Sequence, residues 1–253
     1  MKNLYAVIFI IPFISCTAQV DNANNTSNLK IENDRVTAFY EAHFNDSLPS
    51  TSKGSVSNGS IENAFLLPFS GVNYCYFDTS SYLNSRAFST EQTINAVVNS
   101  YKALQDLDRT FYVMELSNKH GGKMFPHRTH QNGLSVDLMV PLIKDNKPYT
   151  ELDKDGLAHY VLEFNKDGQL SRDTTIHIDF DLIARHILAL EESANEQGLK
   201  IQKVIINTDL KDELFSTPYG KELKKSGIYI VRNLEKIIND LHDDHYHVDF
   251  EKI

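Results

Sequence analysis

Two short stretches of this chain concentrate side chains able to bind a metal ion and to move protons. The first reads His127-Arg-Thr-His130-Gln-Asn-Gly-Leu-Ser-Val-Asp137 and the second His242-Asp-Asp-His245-Tyr-His247. Imidazole and carboxylate are nitrogen and oxygen ligands suited to zinc, and a catalytic zinc takes three protein ligands and leaves a fourth position for water. Two ligands from the first stretch and one from the second would meet that rule and leave histidines over for proton transfer. A closed structural site is the rival reading. Against it, the two stretches offer more histidines than four positions need, and no cysteine takes part.

Spacing divides the labour. His245 to Phe250 reads as a strand, which puts His245, His247 and Asp249 on one face and Tyr246, Val248 and Phe250 on the other. Same-face neighbours stand about 6–7 Å apart along a strand. That is a poor distance for two imidazoles to reach one ion at about 2.0–2.1 Å. One of the pair suits a ligand and the other a nearby base, and the spacing leaves open which is which. Between His130 and Asp137, Asn132-Gly133 breaks any helix, so a turn followed by a strand must bring the two together. His43, His120, His159, His177 and His186 fall outside these spacings and read as ordinary core or surface residues.

The elements that must position these residues are those of an α+β domain. The chain has 253 residues, 41% hydrophobic and 10% aromatic, enough for an ordinary core. A net charge of −9 argues against nucleic acid as a partner, since a polyphosphate calls for clustered Lys and Arg. Two cysteines, Cys16 and Cys75, make no disulfide framework. Lys2 and the apolar run Leu4 to Ile14 form a stretch too short to span a bilayer and of the length of a secretory signal, so residues 1–16 read as a signal peptide. Phe13-Ile-Ser-Cys16 resembles a loose lipobox in which Cys16 is acylated and anchors the protein to a membrane, with Phe13 standing where Leu is usual. The alternative is plain secretion with cleavage near Ala18-Gln19; export follows either way. Residues 17–58 are polar and read as a flexible tether, broken by one weak amphipathic helix through Val36, Phe39, Tyr40 and His43.

The folded domain is expected over residues 59–253, with a central, mostly antiparallel sheet and flanking helices. Ser89-Thr-Glu-Gln92 reads as a capping box opening a helix. Phe111 to Met114 and Val136 to Val140 read as strands, the latter carrying Asp137. Between Ile143 and Thr175, two turn signals and the alternation of Tyr160, Leu162 and Phe164 predict hairpins. A helix is expected from Phe180 to Gln197, stopped by Gly198. A buried strand at Val204–Ile206, a helix over Val231–Leu241 and the His245–Phe250 strand complete the domain.

The stretch from Glu115 through Gly121-Gly122, His127, His130 and Asp137 to Leu138 resembles the penicillin-insensitive murein endopeptidases, bacterial zinc peptidases that cut peptidoglycan cross-links. Their metal-site pattern, shared with D-Ala-D-Ala dipeptidases and carboxypeptidases, is H, six residues, D, then H-x-H near the end. His130, Asp137 and His245-Tyr-His247 match it, and His127 and His242 match the narrower endopeptidase pattern. The likeness runs from about Leu66 to Phe250. It implies Zn2+ held by His130, Asp137 and His247, with His245 as catalytic base and His127 and His242 lining the site. It implies peptidoglycan peptides as substrate, hydrolysed by metal-activated water, and a periplasmic location, free or membrane-anchored through Cys16. The segment 143–175 looks like an insertion relative to shorter members, which bears on cleft shape. A zinc D-Ala-D-Ala carboxypeptidase or dipeptidase is the alternative activity. A non-catalytic zinc- or wall-binding lipoprotein is the alternative class.

Overall fold

The computed structural model describes residues 23–45 and 47–253, with side chains from residue 30. The expected signal segment, Cys16 and the first residues of the expected tether lie outside the described residues. Within that tether, α1 spans Ala23–His43. Val36 is buried, and Phe39 packs edge-on against Tyr82 with ring centroids 5.6 Å apart. A hairpin of β1 (Thr51–Ser55) and β2 (Asn58–Glu62) follows, ahead of the boundary expected at residue 59. This hairpin braces the first histidine stretch through backbone bonds: Ile61 N–H donates to His120 O, Gly122 N–H to Gly59 O, and Gln131 N–H to Val56 O. Pairing through main-chain groups leaves no hydrophobic pattern in the sequence, so these polar strands read as linker.

Next come β3 (Phe65–Leu66), β4 (Tyr74–Tyr76), α2 (Thr79–Leu83) and β5 (Phe88–Ser89), then α3 (Glu91–Lys102). Cys75 is buried in β4 and is not a free thiol. Thr90, rather than Ser89, caps α3: its side chain accepts from Thr93 N–H at 3.3 Å. Ser89 is claimed by β5 and donates its hydroxyl to Gly133 O at 2.7 Å. β6 (Phe111–Val113) and β7 (Ser135–Met139) flank the loop that carries His127 and His130.

The expected insertion builds its own four-stranded sheet from β8 (Leu142–Lys144), β9 (Lys147–Tyr149), β10 (Gln169–Leu170) and β11 (Asp173–Ile178), in the order β10-β11-β8-β9. Asp145 and Asn146, with φ of 53° and 57°, close β8 onto β9 by the turn whose twist suits a tight hairpin. The strand expected through Tyr160 and Leu162 is absent. Tyr160 lies in a 3-10 helix, Gly156–Val161, and Leu162 N–H bonds back to His159 O. Only Phe164 bridges to Leu170.

α4 (Phe180–Glu196) begins at an Asp179 cap and buries Ile183, Ile187 and Leu190. The chain turns at Gly198 (φ 72°) into β12 (Leu199–Ile205). α5 (Lys211–Ser216), α6 (Pro218–Ser226), α7 (Lys236–Asp240) and β13 (His245–Lys252) follow. Of the helix expected over Val231–Leu241, only Lys236–Asp240 is helical. Val231 N–H goes instead to Val204 O, drawing the first residues alongside β12.

The central sheet has the order β12-β13-β7-β6-β4 and is mixed: β4 and β6 run parallel, and the other neighbours antiparallel. Helices α3 and α4 cover one face. There, His186 of α4 is hydrogen-bonded to Tyr246 Oη at 2.5 Å and to Ser100 Oγ of α3 at 2.9 Å. Burial pushes its imidazole down to about 3, so His186 is a neutral structural group. Tyr246 therefore faces the helices, and strand alternation turns its neighbours His245 and His247 to the opposite face.

Candidate metal centre and active site

Register brings the two histidine stretches together. β13 pairs with β7 so that His247 lies opposite Asp137 and Asp249 opposite Ser135. Directly opposed residues on one sheet face are side-chain neighbours, and His247 Nδ1 stands 2.7 Å from Asp137 Oδ1. Asp137 N–H donates to Glu115 O and Asp137 O accepts from Met114 N–H, so the next strand holds the same residue from its other edge.

The loop before β7 supplies the remaining imidazoles. Gly133 has φ 74°, and a Cβ there would sit 2.9 Å from both Ile61 Cδ1 and Thr90 N, so this turn requires glycine. His130 has φ 65°, uncommon for a residue with a side chain. Its N–H is held by Ser135 Oγ at 3.3 Å. The result places His130 Nε2 3.2 Å from Asp137 Oδ2 and 3.1 Å from His247 Nδ1. His127 Nδ1 lies 3.4 Å from Asp137 Oδ2. The ligand-type atoms of His127, His130 and Asp137 all fall within 4.8 Å of one another, a spacing that could hold a metal ion. This trio contains His127, which the family pattern puts beside the metal, while His247 closes on the other carboxylate oxygen.

The outward nitrogen of each ring is already engaged, and this fixes the tautomers. His130 Nδ1 is hydrogen-bonded to Leu116 O. His247 Nε2 faces Asp249 Oδ1 at 2.7 Å, and His127 Nε2 faces Glu115 Oε2 at 2.5 Å. In the neutral ring, a proton on the outward nitrogen leaves a lone pair on the inward one. Asp137, also an acceptor, stands between them, and its Oδ2 is buried without a hydrogen bond. Asp137 Oδ2 and the inward nitrogens of His127 and His130 face one point, an arrangement that calls for a cation, and the nitrogen and oxygen set is one that zinc accepts.

Charge reinforces this. Burial opposes ionisation of Asp137, yet the flanking histidines, His130 foremost, hold its carboxyl well below the usual range. Burial pushes the His130 imidazole down. Burial also opposes charge on His247, but Asp249 and Asp137 hold it up at about 10. A metal ion entering here competes with a proton on His247.

His245 and His242 stand beside this cluster. His245 Nδ1 faces Asp244 Oδ1 at 2.5 Å, which leaves Nε2 as the basic nitrogen. Burial works against its charge, but Asp244 raises its pKa. His242 Nδ1 donates to Ile238 O at 2.6 Å, and burial brings its imidazole down to about 3, so it is neutral. The His242 ring centroid is 4.9 Å from that of His245 and 6.4 Å from that of His247. All six residues singled out from the sequence thus meet in one place, with His127, His242, His245 and His247 lining a cavity of about 620 Å3. Leu157, Ile205, Leu234 and Ile238 give it apolar walls. A groove of about 320 Å3 adjoins it along Arg86, Glu115 and Leu157.

Sequence reasoning missed Glu115, Asp244, Asp249 and Tyr160, although each touches or faces a site histidine. For Asp249 a signal existed, since strand alternation puts it on the face of His247. Glu115 has no fixed spacing from its partner: it also accepts from Ser81 Oγ at 2.9 Å and pairs with Arg86 Nε at 2.8 Å, both remote in sequence.

No curated protein matches the chain. The family model for penicillin-insensitive murein endopeptidase matches residues 52–251, a span that takes in the β1–β2 hairpin, both histidine stretches and the insertion between them. The chain belongs to the penicillin-insensitive murein endopeptidase family and is an endopeptidase acting on peptidoglycan.

Proposed function

We propose that the protein is a zinc-dependent hydrolase of the peptide cross-links of murein, cutting amide bonds of the D-Ala–diaminopimelate type. The observation that carries the metal is the buried, unbonded Asp137 Oδ2 facing the lone pairs of His127 and His130. In this reading His130, Asp137 and His247 are the ligands. When bound, the ion supplies Lewis acidity that activates a water and polarises the scissile carbonyl.

The chain's own groups do the rest. Asp244 holds His245 so that Nε2 can take the water's proton and return it to the leaving amine. His242, neutral and 4.9 Å away ring to ring, offers a second acceptor. His127, steadied at Nε2 by Glu115, either adds its inward nitrogen to the ion or, once that nitrogen is also protonated, donates to the developing oxyanion. The cavity and its adjoining groove give room for a substrate that extends past the cleaved bond. That favours an endopeptidase over a carboxypeptidase, which needs a closed end. Export to the periplasm, with Cys16 as an acylation site, belongs to the same proposal. No helix among the described residues is long and apolar enough to cross a membrane.

The test is a digest of purified muropeptide dimers followed by mass spectrometry. Dimers should fall to monomers, EDTA should abolish the conversion, and zinc should restore it. Undiminished cleavage in EDTA refutes the zinc mechanism, and loss of only a terminal D-Ala identifies a carboxypeptidase.

A further inference from the structure

The 3-10 helix Gly156–Val161 is bound directly to the turn that precedes His245. His159, fully buried, reaches Asp244 O through Nε2 at 3.1 Å, and Val140 N–H donates to the same carbonyl at 3.2 Å. Phe164 N–H donates to Asp243 Oδ2 at 3.1 Å. The insertion is therefore fixed to the residue that orients His245.

This anchoring sets the position of Tyr160. Its ring stands edge-on to His245 (centroids 5.4 Å apart, planes at 85°) and to Phe77 (5.6 Å, 85°). The residue lines the cavity of the site histidines, while its hydroxyl is buried and has no hydrogen-bond partner among the described residues. Burial first, then the nearby charges of Asp137 and Glu115, push the phenol well above its usual range, so it carries its proton at all working pH values. A buried hydroxyl without an acceptor is unfavourable. Neither β-sheet pairing nor core packing needs this hydroxyl, since phenylalanine would make the same ring contacts.

We infer that Tyr160 is a further catalytic residue, whose hydroxyl donates a hydrogen bond to the scissile carbonyl oxygen as that oxygen gains charge. The insertion then completes the active site as well as shaping the cleft. A donor aimed at developing charge acts mainly on the transition state, and losing one lowers kcat by about 100-fold or more. The inference rests on the hydrolytic reading above.

The experiment compares wild type with Tyr160→Phe. For the mutant, kcat on muropeptide dimers should fall about 100-fold with KM within about threefold. Affinity for a phosphinate pseudopeptide, whose tetrahedral oxygens mimic the charged state, should fall by a similar factor. Zinc content, melting temperature and calorimetric binding of the intact dimer to chelator-treated protein should be unchanged. A raised KM with intact kcat, an unaltered phosphinate affinity, or a loss of zinc from the mutant each overturns the role. If wild type itself leaves dimers intact, the hydrolytic reading has failed; if wild type cleaves and the mutant equals it, only the Tyr160 inference has.

Discussion

Replacing Asp249 by Asn tests whether the carboxylate behind His247 decides which imidazole nitrogen faces the ion. Asp249 Oδ1 accepts from His247 Nε2 at 2.7 Å and from Ser135 Oγ at 2.6 Å, while Oδ2 pairs with Lys203 Nζ at 3.0 Å. An amide keeps the shape but has one acceptor oxygen for those three donors. Its NH2 must then face either Lys203 or the His247 edge. Partners of this kind are worth about 10–100-fold in metal affinity, or about 1.4–2.7 kcal/mol. The upper half of that range is expected. Asp249 is fully buried, so no solvent can replace the contact that orients the His247 ring. Zinc affinity is measured by competition with a chromophoric chelator at fixed pH, with circular dichroism as a check on folding. Lys203→Met is the control: it removes a charge that is partly exposed and leaves the His247 contact in place. Asp249→Asn should weaken zinc about 30–100-fold, and Lys203→Met by much less. A folded Asp249→Asn protein that binds zinc within about threefold of wild type refutes the tautomer argument, as does an equal loss in both variants.

Two further outcomes concern stability. Gly133→Ala meets both a left-handed backbone and a Cβ contact of 2.9 Å with Thr90 N, so a loss of about 1–3 kcal/mol is expected. That reads as a melting temperature lower by roughly 3–10 °C, and an unchanged melting point contradicts the turn geometry. Asp153 is buried with neither oxygen hydrogen-bonded, and its nearest cation, Arg109 Nη2, is 4.0 Å away. Burial pushes its carboxyl up to about 7. Between about pH 4 and pH 7 the folded protein therefore keeps a proton that the unfolded chain releases, so stability from this group falls as pH rises across that window. The full gap of about 3 pH units amounts to roughly 4 kcal/mol at most. Denaturant titrations of Asp153→Asn should show a smaller decline from pH 5 to pH 8 than wild type, and parallel declines would contradict it.

The cluster of histidines around Asp137 was legible because its ingredients sit at fixed spacings on regular elements. Alternation along β13 put His245 and His247 on the face opposite Tyr246, and the Asn132-Gly133 break forced a turn before Asp137. Both follow from local geometry. The mixed sheet was harder to read: β4 joins β6 in parallel through three residues, too few for a periodic signal. The β1–β2 hairpin escaped because it pairs by main chain and exposes nearly all its side chains. The expected strand through Tyr160 failed for a different reason. Apolar alternation there reflects residues packing under a short helix, and three positions cannot separate the two periods. Residues that steady the histidines, such as Glu115 and Asp244, were missed because carboxylates are common and their partners are chosen by tertiary contact.

β13 is an interior strand of the central sheet, second in its order, although it is the last element of the described chain. β12 does not touch β7; it is joined to β7, β6 and β4 only through this strand. The same eight residues that tie β12 to β7 also deliver His245 and His247. A polypeptide lacking them has no partner for β12 in this sheet and lacks two of the clustered histidines. Seating one strand therefore completes both the sheet and the histidine cluster.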